Sequence, residues 1–379
     1  MSTLATNAIT DASGGNTASI NGYTPTVSNM AGRNRIINGD MRIDQRNAGA
    51  SYTQVNGAYS LDRWSGNSFD GGAAYNKYSV QQSTTAPAGF SNSLLVTSLA
   101  ATADSGNDIF NIEQKIEGFN SADLAFGTAS AKTITLSFWV RSSLTGTFGG
   151  AIKNSARDRA YPFAYTISSA NTFEYKTITI AGDTSGTWVG STNGMGLWLS
   201  FGLGVSSSRS NTAAAWAGGD LFSSTGAVRV IGTSGATFYI TGVQLEEGSV
   251  ATPFEHRMYG TELQLCQRYF EIIKKQDSGL ETLIGIGFVY SNPNTFLNYR
   301  FKATKRAQPT LTLVGTATSF QVLNTSGSWL PGTAVTTMTS NQESSRINIQ
   351  TSFSGLTTGQ AAEARCDNGG GQVWIYSEL

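Results

Sequence analysis

Charged side chains are scarce in this sequence. They make up 13% of its 379 residues, about half of the usual share, and 25 basic side chains are balanced by 25 acidic ones. Proteins that bind nucleic acid carry a clustered excess of Lys and Arg, which neutralises phosphates. The composition therefore argues against nucleic acid as a partner.

Histidine and cysteine are almost absent. His256 is the only histidine, and Cys266 and Cys366 are the only cysteines. A structural zinc site needs four closely spaced ligands, and a single histidine excludes most Ser-His-Asp and Cys-His schemes. We therefore predict no zinc site, two buried cysteines that act as small hydrophobic side chains, and a polar role for His256 at the entrance of a helix.

Long apolar runs are missing as well. A membrane-spanning helix needs about 20 apolar residues, whereas the longest candidates here, such as "LIGIGFVY", have the length of a strand. The first residues, "MSTLATNAITDASGG", have neither the basic start nor the apolar centre of a signal peptide. We expect a soluble protein that is made in the cytoplasm and does not insert into membranes.

Glycine is abundant, with 43 residues, and Ser, Thr and Asn fill most of the space between short apolar runs. In "KTITLSFWVRSS" the apolar side chains alternate with polar ones, which is typical of a strand with one buried face. Many such strands separated by turns, without a helical period before about Thr261, predict an all-β fold. We expect an antiparallel jelly-roll sandwich over residues 34–256.

Residues 1–33 carry almost no large apolar side chains and cannot build a core. Two interpretations of this segment stay open. It is either a disordered tail or an extended arm that becomes ordered only against a partner.

A linker helix is predicted over residues 257–276. Its sequence "TELQLCQRYFEIIKK" places Thr261 three residues before Gln264, as in a capping box. The wide apolar stripe of this helix predicts packing both against a domain and against other copies of the chain. The residues predicted for this oligomerisation are Leu263, Cys266, Phe270 and Ile273.

Strand patterns resume after the helix and predict a second β domain over residues 277–379. Sugar binding usually needs an exposed aromatic ring together with planar polar side chains. The residues of this domain that we select as glycan-binding candidates are Tyr299, Trp329, Arg346 and Trp374.

A pair of carboxylates that would indicate a glycosidase is not evident. Such an enzyme needs two carboxyl groups about 5–10 Å apart across the sugar, and the adjacent Glu246 and Glu247 point to opposite faces of an extended chain. Other acids can converge only through the fold, namely Asp40, Asp44 and Asp62, or Glu113 and Glu117. We predict no catalytic residue.

Several segments, taken in order, resemble a known family. They are "NRIINGDMRIDQRN", "YSLDRW", "QKIEG", "TITLSFWVRSS", "GVQLEEGSVATPFEHR" and "ELQLCQRYFE". Together they resemble the tail-fibre and receptor-binding proteins of tailed bacteriophages, particularly those of marine and cyanobacterial phages. In such proteins a carbohydrate-binding-module-like jelly roll passes into a short helix and a C-terminal β domain. The resemblance covers roughly residues 34–275, and the C-terminal domain matches in general style.

The resemblance implies a non-enzymatic virion protein that forms a homotrimeric tail fibre. The arm of residues 1–33 would attach to tail or neck proteins, and the C-terminal domain would bind host surface polysaccharide or lipopolysaccharide. Jelly rolls of this kind often hold a structural calcium through carboxylates, and Asp40, Asp62 or Glu246 would contribute here. No other cofactor is implied.

Two alternative functions stay open. One is a decoration fibre of the head or neck of the virion, and the other is a glycan-depolymerising tailspike. The lack of a β-helix repeat of roughly 20–30 residues argues against the tailspike.

Overall fold

The structure is a computed structural model, and it describes residues 32–70, 76–274, 282–324, 326–351, 356–366 and 370–379. The chain divides into two compact units, Met1–Arg257 and Met258–Leu379, which we call unit 1 and unit 2. The predicted N-terminal arm lies outside the described residues, apart from Gly32 and Arg33. Within the described part of the chain, no helix is long and apolar enough to cross a membrane.

Unit 1 consists almost entirely of strands and turns. Its strands are β1 (Tyr52–Thr53), β2 (Tyr59–Leu61), β3 (Trp64–Asp70), β4 (Tyr78–Ser83), β5 (Ser93–Ser98), β6 (Asp108–Glu117), β7 (Ile134–Ser142), β8 (Gly146–Lys153), β9 (Arg159–Ile167), β10 (Glu174–Ile180), β11 (Met195–Val205), β12 (Ser210–Asn211), β13 (Ala217–Gly218), β14 (Ser223–Ser224) and β15 (Thr237–Glu247). Short 3-10 helices lie at Gly118–Asn120, Ala122–Leu124, Ser207–Arg209 and Val230–Gly232.

These strands form two main sheets with antiparallel pairing. One sheet has the order β1-β4-β5-β15-β7-β10, and the other has the order β13-β9-β8-β11-β6-β3-β2. One hydrophobic core takes side chains from both sheets, for example Phe138 and Phe201, whose ring centroids are 5.0 Å apart. The predicted all-β, antiparallel jelly-roll sandwich is confirmed.

Strand β7 shows how the sequence builds this core. Its residues Ile134, Leu136, Phe138 and Val140 alternate with more polar residues, and all four are fully buried. Strand β10 pairs with β7 at the sheet edge and alternates exposed with half-buried side chains before it ends at Ile180. Such alternation is expected of a strand with one face in water. The alternation of residue types along the strand therefore determines which side chains face the core.

Strand β15 carries Val243 and Leu245 in the core, and both are fully buried. The strand bulges at Gly242, where φ is +60° and an added Cβ atom would lie 2.6 Å from the ring of Phe90. Glycine is needed at this bulge because neither the backbone conformation nor the neighbouring ring leaves room for a side chain.

Unit 2 begins with a helix and continues with strands. Its elements are α1 (Tyr259–Gln267), β16 (Phe270–Lys274), β17 (Thr282–Ser291), β18 (Asn294–Arg300), β19 (Thr310–Val314), β20 (Phe320–Leu323), β21 (Trp329–Ser340), β22 (Ser344–Thr351), β23 (Ala361–Cys366) and β24 (Gln372–Tyr376), with a 3-10 helix at Ala317–Ser319.

The strands of unit 2 form a closed barrel and a small sheet. The barrel has the order β17-β18-β22-β21-β20-β23, and the three-stranded sheet has the order β16-β24-β19. A second hydrophobic core includes Ile284, Leu297 and Ile347 of the barrel and Ile375 of the small sheet. The predicted second β domain is confirmed, although nothing in the sequence had indicated that its strands close into a barrel.

The helix predicted over residues 257–276 is wrong in its second half. Helix α1 ends at Gln267, and β16 follows and pairs with β24. The β-branched side chains of Ile272 and Ile273 are stiff and favour an extended chain. Antiparallel pairing with β24 then satisfies the backbone hydrogen-bonding groups of this segment.

The start of the helix and its predicted contact stripe also need correction. Thr261 lies inside α1, whose N-cap is Met258 and has no side-chain capping bond. Of the predicted oligomerisation residues, Leu263 is half-buried, whereas Cys266, Phe270 and Ile273 are buried within the single chain. These last three residues form part of the chain's own core instead of an exposed stripe on a helix. Cys266 and Cys366 are both buried, as predicted.

Candidate functional site

Tyr299, one of the four glycan-binding candidates, lies on the inner side of the barrel. Its ring packs against the hydrophobic core of unit 2, and its hydroxyl donates a hydrogen bond to the carboxylate of Glu271. Burial, together with the negative charge of Glu271, raises the pKa of the Tyr299 hydroxyl far above its usual value. Tyr299 therefore faces the core of unit 2 and is not an outward-facing ring of the barrel.

Trp329 and Trp374, two further candidates, are half-buried and lie in different sheets. Trp329 begins β21, where the guanidinium carbon of Arg365 stands 4.1 Å from the centre of the indole ring. Trp374 packs edge to face on Phe270, with centroids 5.6 Å apart, and its indole N–H donates to the side chain of Gln372. The structure does not bring the four candidates together in one site, and glycan binding by these two residues stays a prediction.

Arg346, the fourth candidate, lies on the outside of the barrel beside aromatic and amide side chains. Strands β17, β18 and β22 are neighbours there, and residues that stand opposite each other form rows across the sheet. One row is Ile286, Asn298 and Arg346, and the next is Phe288, Phe296 and Asn348. We define the barrel aromatic face as Phe288, Tyr290, Phe296, Asn298 and Arg346.

The rings of the barrel aromatic face contact each other. Tyr290 and Phe296 stack with centroids 4.6 Å apart and ring planes inclined by 12°, and Phe288 meets Phe296 edge to face at 6.1 Å. The guanidinium carbon of Arg346 lies 5.5 Å from the centre of the Phe296 ring, within the range of a cation–π interaction. Because Tyr290 is 59% and Phe288 is 47% exposed, the face presents aromatic surface to solvent.

Strand β17 explains why the outside of the barrel is apolar here. Ile284 and Val289 point into the barrel and are each 1% exposed, whereas the outward residues of the same strand are also large and apolar. Gly287 lets β17 approach β18 closely, because an added Cβ atom would overlap the carbonyl oxygen of Phe296. The strand therefore has one apolar side in the core and a second one in water.

A cavity of about 390 Å³ borders the barrel aromatic face. This volume lies within the range of sites that hold small ligands. Its lining combines aromatic surface with amide, hydroxyl and guanidinium groups, among them Phe288, Phe296, Asn298, Asn341, Ser344 and Arg346. The described residues of this lining include no Asp or Glu.

Amide side chains continue beside the rings. The Oδ1 atom of Asn294 accepts hydrogen bonds from Nδ2 of Asn348 at 3.1 Å and from Nε2 of Gln350 at 2.9 Å. Each amide offers both donors and an acceptor. The arrangement of flat rings, amides and a guanidinium can therefore bind a molecule that has an apolar face and many hydroxyl groups.

Another cavity, of about 420 Å³, lies in unit 1 beside the only histidine. Asp40 and Arg42 form an ion pair in its wall. The ring centroid of His256 is 5.4 Å from that of Phe90 and 5.0 Å from that of Phe254. His256 therefore takes part in an aromatic cluster three residues before α1 begins.

The acids considered for catalysis are hydrogen-bond acceptors within unit 1. Asp44 accepts from the backbone N–H groups of Asn47 and Gly49, and burial nevertheless raises the pKa of its carboxyl group. Glu113 and Glu117 are each 1% exposed. A polysaccharide in solution has no access to the two glutamates in this fold.

The acids considered for calcium make hydrogen bonds or an ion pair within the protein, and calcium binding stays a prediction. Asp62 accepts two hydrogen bonds from Gln45, and Glu246 accepts two from Thr252. Asp40 is paired with an arginine. Among the residues that the structure describes, no group of three or more His, Cys, Asp or Glu side chains is placed to hold a metal ion.

Sequence reasoning missed Phe288, Tyr290, Phe296 and Asn298. The run "LIGIGFVY" is apolar at nearly every position, so its period does not distinguish an outer face from an inner one. The signal that was available is the composition of this run, because a strand with two apolar sides must expose one of them when only one side faces a core.

Comparison with known proteins leaves the family open. No protein-family profile matches the sequence, and no curated protein matches it. The strand arrangement shows an all-β protein that consists of a jelly-roll sandwich and a closed barrel.

Solved structures with some likeness are a phage tailspike and carbohydrate-binding modules. The enzymatically active domain of tailspike protein 4 of bacteriophage CBA120 has 14% identity and a TM-score of 0.31, over 57% of this chain and 21% of that chain. The C-terminal family 22 carbohydrate-binding module of Clostridium thermocellum Xyn10B has 15% identity and a TM-score of 0.28, over 54% and 100% of the two chains. TmCBM61 in complex with β-1,4-galactotriose has 10% identity and a TM-score of 0.28, over 57% of this chain and 99% of that chain. All three TM-scores are below 0.5, and likeness at that level carries no function to this chain.

Proposed function

We propose that this protein is an adhesive, non-enzymatic component of a bacteriophage tail, which binds glycan on the host surface through the barrel aromatic face. The observation that carries the glycan part is the exposed stack of Tyr290 on Phe296 with Asn298 and Arg346 beside it. The sequence resemblance to tail fibres supports the virion part. In this proposal unit 1 is a structural module and unit 2 is the receptor-binding tip.

The chemistry of the face suits a sugar. A pyranose ring has apolar C–H faces that pack on aromatic rings and hydroxyl groups at its edge that bond to amides and guanidinium groups. The rings are held against each other before any ligand arrives, so little side-chain entropy is lost on binding.

Binding without cleavage is proposed because no Asp or Glu is among the described residues that line the cavity beside the face. A glycosidase places two carboxyl groups on either side of the scissile bond, and the described lining of the cavity beside the face has none. This lining supports a site that holds glycan and leaves it intact.

The change Phe296→Ala is expected to weaken glycan binding by about 1–2 kcal/mol, or roughly 5- to 30-fold. Phe296 contacts both other rings and the guanidinium of Arg346, so its loss removes the support of the whole face. The measurement is calorimetric titration with polysaccharide fragments from the host surface. Tyr175→Ala is the matched control, since Tyr175 is an aromatic residue of unit 1 that is 44% exposed. Equal affinity of Phe296→Ala and the unaltered protein, or an equal loss in the control, contradicts the proposal.

We further propose a homotrimer in the virion tail, with the segment before and within α1 as a contact between copies. Met258 is 83% and Tyr259 is 56% exposed, and Leu263 lies one turn after Tyr259 on the same side of the helix. Large apolar side chains at this exposure support a surface that another copy covers.

Sedimentation of the full chain is expected to give three times its mass of 40.1 kDa, and Tyr259→Ser with Leu263→Ser is expected to shift the protein towards monomers at micromolar concentration. Leu99→Ser is the control, because Leu99 is 46% exposed in unit 1. A monomer at all concentrations would contradict the proposed trimer.

Counting copies per particle by quantitative mass spectrometry then tests the location of the protein in the virion, since a tail fibre occurs in far fewer copies than a decoration of the capsid lattice.

A further inference from the structure

We infer that the barrel aromatic face selects glycans that carry an oxyanion, and that Arg346 receives this group. The inference rests on the proposed function and names the ligand class of the same site. Arg346 is exposed, and no described carboxylate lies at salt-bridge distance from its guanidinium. Two arginines of unit 1 show the contrast, since Arg35 is paired with Asp123 and Arg159 is paired with Asp183.

A second arginine of the same barrel shows the difference between a structural and an available guanidinium. Arg365 stands 4.1 Å over the ring of Trp329 and donates through Nε and Nη2 to Oε1 of Gln321, at 2.9 and 2.7 Å. Its hydrogen bonds tie β23 to β20. Arg346 has the contact to Phe296 but no such acceptor among the described residues, so its donors face solvent at the edge of the cavity.

Arg300 adds a second positive charge beside the cavity. It is exposed, and on strand β18 it stands opposite Ser344, which lines the cavity. The acid nearest to this point along the chain is Glu343, and its carboxylate makes no ion pair with either arginine among the described residues. Glu363 of β23 stands opposite Ile286, in the row that continues through Asn298 to Arg346, and it makes no ion pair with either arginine among the described residues.

A guanidinium binds carboxylate, sulfate or phosphate through two parallel N–H donors. Arg346 is held 5.5 Å from the ring centre of Phe296, so a sugar that stacks on the rings brings a substituent at its edge within reach of the charge. The shared chemistry of the ligand is thus an oxyanion on a stacked sugar, whether it is a uronate, a sulfate ester or a phosphate ester.

The experiment uses the full chain and surface polysaccharide purified from the bacterium to which it adheres. The polysaccharide is tested in four forms: untreated, carboxyl-reduced, desulfated and dephosphorylated. We expect one of the three treatments to weaken binding by roughly tenfold or more, and that treatment identifies the oxyanion. The affinity for the untreated form should fall as salt is added, since salt screens exposed charges.

Two variants distinguish the effect of Arg346 on binding from the effect of losing any positive charge and from the effect of unfolding. Arg346→Gln is expected to bind the untreated form about as weakly as the unaltered protein binds the treated form, while its affinity for the treated form stays the same. Lys132→Gln removes one exposed positive charge of unit 1, from a pair with Glu247 at 2.9 Å, and is expected to change neither affinity. Thermal unfolding confirms that both variants are folded.

The outcomes distinguish this inference from the proposed function. Equal binding of all four forms by the unaltered protein, or unchanged selectivity in Arg346→Gln, overturns the inference and leaves glycan binding in place. If the unaltered protein binds none of the forms, the proposed function fails together with the inference.

Discussion

Replacing Glu271 with glutamine is expected to lower the stability of unit 2 by about 3–5 kcal/mol, the usual effect of removing one partner from a buried ion pair. Glu271 and Lys305 are both fully buried, and Nζ of Lys305 lies 2.7 Å from Oε2 of Glu271. The same carboxylate accepts from the hydroxyl of Tyr299 and from the backbone N–H of Lys302. The neutral variant leaves the Lys305 ammonium buried without a counter-ion.

Burial lowers the pKa of Lys305, although Glu271 opposes this shift. In the variant the opposing charge is gone, so the ammonium form becomes still less favourable. The variant also weakens the hydrogen bond of Tyr299, because a neutral amide oxygen is a poorer acceptor than a carboxylate. Since Glu271 lies in β16 and Lys305 lies between β18 and β19, the pair links the small sheet to the chain that leaves the barrel.

Calorimetric unfolding of the full chain checks this prediction. Each unit has its own hydrophobic core, so we expect Glu271→Gln to lower only the transition of unit 2. Glu343→Gln is the same chemical change at an exposed position and should have almost no effect. Adding Lys305→Met to Glu271→Gln should recover part of the loss, because it removes the unpaired charge. If the free energy of unfolding of unit 2 in Glu271→Gln stays within about 1 kcal/mol of that of the unaltered protein, the buried pair does not stabilise unit 2 as predicted.

Asp220→Asn is expected to destabilise unit 1 by about 2–4 kcal/mol for the same reason. Nζ of Lys153 lies 2.7 Å from Oδ1 of Asp220, and the Lys153 side chain is fully buried while that of Asp220 is 20% exposed. The ammonium also stands 3.8 Å from the ring centre of Trp198 and 3.1 Å from that of Phe222. These aromatic faces stabilise the charge but do not replace a carboxylate.

The pKa of Lys153 adds a pH dependence. Burial lowers this pKa from 10.5 to about 8, against the effect of Asp220. Below about pH 8 both the folded and the unfolded chain hold the proton, and the folded chain bears the desolvation. Between about pH 8 and 10.5 only the unfolded chain holds it, so the contribution of Lys153 to the free energy of unfolding rises with pH. The rise is about 3 kcal/mol over this window.

Lys153→Met is the matched variant for both effects. It removes the buried charge but keeps an apolar side chain between the rings, and Asp220 retains Arg209 at 3.4 Å. We expect its stability at pH 7 to equal or exceed that of the unaltered protein, and its difference from the unaltered protein to shrink or change sign as the pH rises from 8 to 10. Equal pH profiles of the two proteins would contradict the assigned role of Lys153.

Segments with local signals were predictable from the sequence. Strand β7 shows its buried face through a period of two, in which Ile134, Leu136, Phe138 and Val140 are all buried. These features depend on neighbours in the sequence, because side chains two positions apart share a face of any strand. The class of the fold follows from many such strands.

Segments whose conformation depends on a distant partner were not predictable. Phe270 and Ile273 fit the stripe of a helix as well as a strand, and pairing with β24 decided between the two. Tyr299 could have faced either side of its strand until closure of the barrel turned it towards Glu271. A shift of the pairing register by one residue exchanges the two faces of a strand. The alternation of residues along the sequence does not specify this register.

The sequence by itself determined the all-β class and the two β regions, because composition and local periodicity carry that information. Only the tertiary structure decided that β17, β18 and β22 stand side by side and so bring Arg346 to the ring of Phe296, on which Tyr290 stacks. These residues are up to 56 positions apart in the printed sequence, and only the hydrogen-bond register of three strands makes them neighbours.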